Sequence, residues 1–251
     1  MAKNHTCAQN TYTISGKSVT LYEICTRSSN IKVSSFSRRY HQTGTVKTLS
    51  ASGEYGINAS WFDNSSGGDH HIMNLAYQNG VRQGCILNDA DVHEVHGVLP
   101  DGFTNSVGKS AIYRANGSLG FSSNIVNSSS SLVSNSTWLQ GGINLFLGDS
   151  SWSTKFNNES ESAYNSPARR SAMVADLAND RVYLFVVDQA VSPATLRAAI
   201  MKRLSIQEGN TAYKYFGIML DGGGSTQMAG DTISILSTRP IPQIVGLNDK
   251  T

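Results

Sequence analysis

Arg181-Val-Tyr-Leu-Phe-Val-Val187 is a short, unbroken apolar run. It is followed by a helix signal at Ser192-Pro193 and, past Gly209, by a second apolar run from Tyr213 to Leu220 that ends at Asp221. A continuous run of this length reads as a buried strand. Ser192 is a good N-cap because its hydroxyl can accept a backbone N–H, and proline fits the first helical position, where an amide would have no partner. Leu196, Ala199, Ile200 and Leu204 recur at helical spacing, with Gly209 as the stop. Strand, helix, strand is a crossover unit and implies a sheet with a helix packed on one face. The sequence therefore predicts an α+β (mixed α/β) fold, with a mixed twisted sheet, few helices packed on it, and long polar loops.

A weaker copy of the pattern lies upstream. Ile31 to Phe36 reads as a strand, Thr45 to Leu49 as a short helix, and Tyr55 to Asn58 as a strand followed by Ala59 and Ser60. Two strands thus end in an amide or a carboxylate followed by small residues, at Asn58 and at Asp221. Ligands of open α/β sheets bind beyond the carboxyl ends of strands, so these two ends are expected to wall one cleft. Segments around Ala111–Tyr113, Leu119–Phe121 and Ile143–Leu147 read as ordinary strands, and the Ser- and Asn-rich stretch Ser122 to Ser136 as an exposed loop. No linker divides the chain, which is expected to form one domain over residues 1–251.

Composition narrows the function classes. Lys+Arg 20 against Asp+Glu 18 gives a net charge of +2 over 251 residues, too balanced for nucleic acid or an anionic membrane as the main partner. Charged residues are 15%, against roughly 25% in typical proteins. Ser, Asn, Thr and Gly fill the difference, which suits hydroxyl-rich ligands. Hydrophobic content of 39% supports a packed core. No apolar run approaches the roughly 18 residues that span a bilayer, and Met1-Ala2-Lys3-Asn4-His5 leads into polar residues rather than a leader's apolar region. A chain that starts here is read as cytoplasmic, one from which a leader was removed as extracellular. Cys7, Cys25 and Cys85 are read as free thiols, with a Cys7–Cys25 bridge as the alternative in an oxidising compartment. The Asn-x-Ser/Thr triplets at Asn116, Asn127, Asn135 and Asn158 are read as compositional.

Asp221-Gly222-Gly223-Gly224-Ser225-Thr226 is the sharpest chemical signal. Three glycines after a buried strand let the backbone take positive φ and approach a ligand closely. Successive N–H groups can form a concave anion site, with the Ser225 and Thr226 hydroxyls beside it. The plain alternative is a tight turn whose Asp caps the next segment. No Lys follows the glycines, so this is not a Walker A loop; the spacing is not a dinucleotide fingerprint, and Ser225 is not centred in G-x-S-x-G. Arg169 and Arg170 precede the Val182–Val187 strand, and an arginine is the preferred bidentate partner of phosphate; a solvated surface pair is the alternative. Asn58 with Trp61 and Phe62 can supply an amide and a stacking face for a sugar, or can be a strand-end Asn beside core aromatics. Asp89, Asp91, His93 and His96, and Asp69-His70-His71, match no recognised zinc spacing, so no metal and no cofactor is expected. A Ser-His-Asp triad has no local anchor.

Asp221-Gly-Gly-Gly-Ser225, preceded by Phe216-Gly-Ile-Met-Leu220, resembles the N-L-D-G-G-G-S core of the phosphodiester glycosidases, a family that includes the uncovering enzyme. Ile57-Asn-Ala-Ser-Trp-Phe62 is similar to its I-N-G-G-F-F motif, Gln140 to Gly148 to its G-G-P-x-L segment, Arg170-Ser-Ala172 to R-T-A, and Arg239-Pro-Ile-Pro-Gln-Ile-Val245 to its closing R-P-V strand. Val186-Val-Asp188 matches the strand end before the crossover helix, and the likeness covers roughly residues 30 to 247. Ala59, Ser60, Trp61 and Ile143 depart from the family motifs, and 89–103 reads as an insertion.

The resemblance implies hydrolysis of the bond between an anomeric carbon and a phosphodiester oxygen, on a small-molecule or glycan substrate. It implies Gly222, Gly223, Gly224, Ser225, Thr226 and Arg170 around the phosphate, Asp221 as lead base or nucleophile with Asp188 second, and Asn58 and Trp61 toward the sugar. The rivals are a non-catalytic glycan- or phosphate-binding module of a viral or cell-surface assembly, and an esterase or nuclease using Ser225 or a metal at the histidine cluster.

Overall fold

The computed structural model describes residues 4–36, 47–62, 72, 74–83, 109–123, 132, 135–160, 162–210 and 212–248. Its strands are β1 (His5–Ile14), β2 (Lys17–Arg27), β3 (Ile31–Ser35), β4 (Gly56–Asn58), β5 (Ala76–Gln78), β6 (Val81–Arg82), β7 (Ser110–Ala115), β8 (Ser118–Ser122), β9 (Ser136–Asn144), β10 (Ala168–Asp176), β11 (Arg181–Val191), β12 (Tyr215–Met219), β13 (Met228–Ala229), β14 (Ser234–Ile235) and β15 (Gln243–Leu247). The α-helices among the described residues are α1 (Leu49–Ser52), α2 (Trp152–Glu159) and α3 (Pro193–Arg203). A ten-stranded sheet runs β1-β2-β11-β10-β12-β9-β5-β6, with β7 and β8 joined through β9; a five-stranded sheet runs β14-β13-β4-β15-β3.

The mixed α/β expectation is overturned. The chain is mostly β, with a curled antiparallel half-barrel sheet. The crossover itself forms as the sequence predicts. Ser192 Oγ accepts the Thr195 amide at 3.2 Å, Pro193 opens the helix, and Leu196, Ala199 and Ile200 are buried. β11 and β12 do run in the same direction, since each pairs antiparallel with β10. β10 lies between them, however, so their shared direction never becomes a parallel ladder, and every ladder among the described residues is antiparallel. The short upstream helix also forms one turn later than expected, at Leu49–Ser52, with the Thr48 hydroxyl capping Ala51.

Two hydrophobic cores flank the large sheet. One, with Ile24, Leu184 and Ile218 from it and Ile57 and Val245 from the small sheet, glues the sheets together. The other, with Leu21, Val174, Phe185 and Met219, is covered by Phe156 of α2 and by Leu196, Ala199 and Ile200 of α3. Strand alternation separates the first two thiols. Cys7 stands opposite Ile24 and Cys25 opposite Thr6, so their side chains leave on opposite sheet faces and both are free. Cys85, Asp69, His70, His71, Asp89, Asp91, His93 and His96 lie outside the described residues, as does most of Ser122 to Ser136.

Candidate active site

The ends of β4 and β12 meet where the two sheets touch. Leu220 donates its amide to Ser171 O at 2.9 Å, and Asp221 donates to Ala59 O at 3.0 Å. The chain then leaves the sheet in a tight bend. Gly222 is in extended conformation, and glycine is needed there for space: a Cβ would stand 2.6 Å from Arg169 O. Gly223 is needed for its φ of +60°, and a Cβ there would meet nothing within 4 Å. A turn over Gly223–Ser225 closes with Ser225 N to Gly222 O at 3.1 Å and Thr226 N to Gly223 O at 3.3 Å. The Gly222 amide donates to Asp221 Oδ1 at 2.7 Å. The amides of Gly223 and Gly224 have no acceptor among the described residues, and both glycines reach solvent.

Asp221 is recessed but keeps partial solvent access. Burial pushes its carboxyl up to about 6; the Ser225 hydroxyl, the Gly222 amide and the positive charges of Arg239 and Arg170 offset part of that rise. Arg170 is 3% exposed, and much of it is committed to protein carbonyls. Its Nε donates to Val191 O at 3.2 Å and its Nη2 to Tyr164 O at 2.9 Å and to Ser166 O, while Nη1 lies along Gly222. Arg239 is half-buried, and its stem crosses Gly224, within 3.2 Å of where a Cβ would stand. Its guanidinium sits 5.7 Å from the Phe62 ring centroid and makes no hydrogen bond among the described residues. Arg239 was only a landmark in the sequence, where nothing local tied it to the glycine bend.

The structure brings Asp221, Gly222, Gly223, Gly224, Ser225, Thr226, Arg170 and Asn58 together. The Ser225 and Thr226 hydroxyls are buried under the bend without a partner in full hydrogen-bond geometry, though Ser225 stands near enough to the Asp221 carboxyl to favour its charged form. Asn58 is 1% exposed. Its Oδ1 accepts from Ser171 Oγ at 2.6 Å and Gln227 N at 3.1 Å, and its Nδ2 donates to Asp221 O at 2.8 Å. Trp61 is in the second core, edge-on to Tyr164 at 5.3 Å between centroids. The half-exposed carboxylate of Asp188 is taken by Arg169, whose backbone carbonyl borders Gly222. Among the described residues no cluster of three or more His, Cys, Asp or Glu could hold a metal ion, and no helix is long and apolar enough to cross a membrane. Chemically, open amides beside a guanidinium can receive an anionic oxygen, and a carboxyl that titrates near pH 6 can move a proton at neutral pH.

No family model matches the sequence, and no curated protein matches it. Among solved structures the chain is similar to the catalytic domain of zebrafish N-acetylglucosamine-1-phosphodiester alpha-N-acetylglucosaminidase, auto-inhibited by its pro-peptide. That likeness has a TM-score of 0.60 and 14% identity, over 98% of this chain and 83% of that one. A hypothetical protein from Synechocystis is similar with a TM-score of 0.53 and 14% identity, over 97% of this chain and 62% of that one. At these identities the likeness is one of fold, and the fold is shared with the catalytic domain of a glycosidase.

Proposed function

We propose that the chain is a glycosidase-type hydrolase that cleaves the bond between a sugar's anomeric carbon and a phosphodiester oxygen. One observation carries this: a recessed carboxyl, two open amides and two guanidinium groups share a single solvent-reached bend. The fold likeness to a catalytic domain whose name describes this class of bond supports it.

In the proposed reaction water attacks the anomeric carbon and gives its proton to Asp221. The carbon–oxygen bond breaks with its electron pair on the phosphate oxygen. The products are a free sugar and a phosphomonoester, whose second pKa of about 6 lets it depart without a proton. The raised-pKa acid that ordinary glycosidases require is therefore dispensable. The Gly223 and Gly224 amides and the positive charge beside the bend stabilise the departing anion. Asn58 positions Asp221 by donating to the Asp221 carbonyl, the Ser225 hydroxyl flanks the carboxyl, Thr226 closes the turn through its amide, and Trp61 supports Arg170 through Tyr164. Asp188 is given no part. No cofactor enters.

Incubating the purified chain with a panel of sugar-1-phosphodiesters, with and without chelator, tests the proposal. The expected outcome is chelator-insensitive sugar release whose rate falls as pH drops below about 6, where Asp221 becomes protonated. Asp221→Asn is expected to lose about a thousandfold in rate, in the range that a general base contributes. Binding without release identifies a non-catalytic module instead. Chelator-sensitive cleavage of a phosphorus–oxygen bond identifies a metal-dependent esterase or nuclease. Either result overturns the proposal.

A further inference from the structure

Resting on that reading, the geometry points to Arg239, rather than Arg170, as the arginine that grips the substrate's phosphate, with Arg170 acting as a positioning residue beneath it. The two guanidinium groups flank the same bend but are committed very differently. Arg170 is buried, and its Nε and Nη2 donate to three carbonyls, of Val191, Tyr164 and Ser166, which fix it between β10, the end of β11 and the 162–165 turn. To grip a ligand with that fork it would have to give up hydrogen bonds it already makes to three protein carbonyls. Only Nη1 faces the bend, alongside Gly222, and the open amides of the bend belong to the next two glycines.

Arg239 has the complementary properties. Its stem lies across Gly224, so its guanidinium is on the side of the bend where the Gly224 backbone reaches solvent. None of its guanidinium N–H groups is hydrogen-bonded among the described residues, and it is half-buried rather than sealed. Its backbone is held independently: Arg239 N donates to Ser237 Oγ at 3.1 Å, and Arg239 O accepts from Gln227 Nε2 at 2.8 Å. Ser237 in turn donates to Gly224 O, which ties the segment that carries Arg239 to the bend itself. The Phe62 ring under the guanidinium restricts its plane without using any of its donors. A planar fork with free donors, pre-oriented beside two free amides, matches the tetrahedral oxygens of a phosphate diester. A Cβ at Gly224 would stand 3.2 Å from the Arg239 stem and press on it, so the glycine leaves the stem room to lie across the bend.

Titration calorimetry of the full chain with inorganic phosphate tests this, backed by amide NMR of the bend. Wild type is expected to bind phosphate with shifts at the Gly223 and Gly224 amides. Arg239→Gln is expected to weaken binding at least tenfold, and Arg239→Lys to recover only part of it, because an ammonium supplies the charge without the fork. Arg239 is half-exposed, so both variants are expected to fold, with thermal unfolding as the check. Wild-type affinity in Arg239→Gln, full recovery by Arg239→Lys, no phosphate binding by wild type, or shifts confined to residues away from the bend would each overturn the assignment. Turnover is scored separately: a chain that binds phosphate through Arg239 yet releases no sugar from any diester refutes the hydrolase and leaves this site standing.

Discussion

β4 ends at Asn58 and β12 runs out two residues before Asp221; these near-isosteric side chains are each followed by small residues, Ala59-Ser60 and Gly222-Gly223, and the two segments touch. Asn58 is sealed, with its oxygen and nitrogen both bonded to protein. Asp221 keeps solvent access, and its carboxyl is lifted to about 6 by the burial it does have. The difference follows from chemistry. A neutral amide can be sealed once its donors and acceptors are matched, whereas sealing a carboxylate carries a desolvation cost that hydrogen bonds only partly offset. The amide therefore serves as the bolt between sheets, and the acid stands at the opening.

The sharpest way to break this contrast is at the bolt. Asn58→Ala removes the acceptor of Ser171 Oγ and Gln227 N and the donor to Asp221 O, all at a nearly inaccessible position. Leaving these groups unpaired is expected to cost about 3–5 kcal/mol, read as a lower urea midpoint. A loss under about 1 kcal/mol would mean that Asn58 is not the bolt, and that apolar packing and the Asp221–Ala59 backbone bond join the sheets without it.

At the opening the sign reverses. A buried acid with a raised pKa binds its proton more tightly in the folded state than in the unfolded one. Its destabilising effect is therefore absent below the ordinary value of 3.8, grows as pH rises to about 6, and is constant above that. Asp221→Asn removes it. The variant is expected to be more stable than wild type by about 1–3 kcal/mol at a pH of about 7.5 and indistinguishable from it at a pH of about 3.5. Thermal melts at the two pH values check this, and equal effects at both would refute an ionisation origin.

Legibility in the sequence followed the range of the interaction. The α3 helix was readable because its cap, its proline and its apolar face are all within one short segment. The glycine bend was readable because conformational freedom is written in the residue type itself. β1 was missed, since His-Thr-Cys-Ala-Gln-Asn-Thr-Tyr-Thr-Ile has too few aliphatic residues to show a period, and it owes its strand to pairing with β2. β10 was hidden in an Ala-, Ser- and Arg-containing run, and its insertion between β11 and β12 is what turned an expected mixed sheet into an antiparallel one. Arg239 is legible only as the first residue of the closing-strand motif and not as a site residue, because its place at the bend depends on Ser237 and Gln227 holding its backbone there.

The smallest expected effect is at the tip of the bend, and it separates two reasons for glycine. At Gly222 a methyl group would collide with Arg169 O, so space is the constraint. At Gly223 the space is open and only the φ of +60° opposes a side chain, so Gly223→Ala is expected to cost about 1 kcal/mol in stability. The methyl group would stand on the solvent-reached side of the bend, next to the two open amides. Phosphate affinity is therefore expected to fall by more than the stability loss accounts for, because the folded bend keeps its shape while its approach narrows. Paired urea titration and phosphate calorimetry of the same preparation check the two quantities. A Gly223→Ala variant that loses stability but binds phosphate as wild type does would place the anion on the Arg170 side of the bend, away from the Gly223 tip.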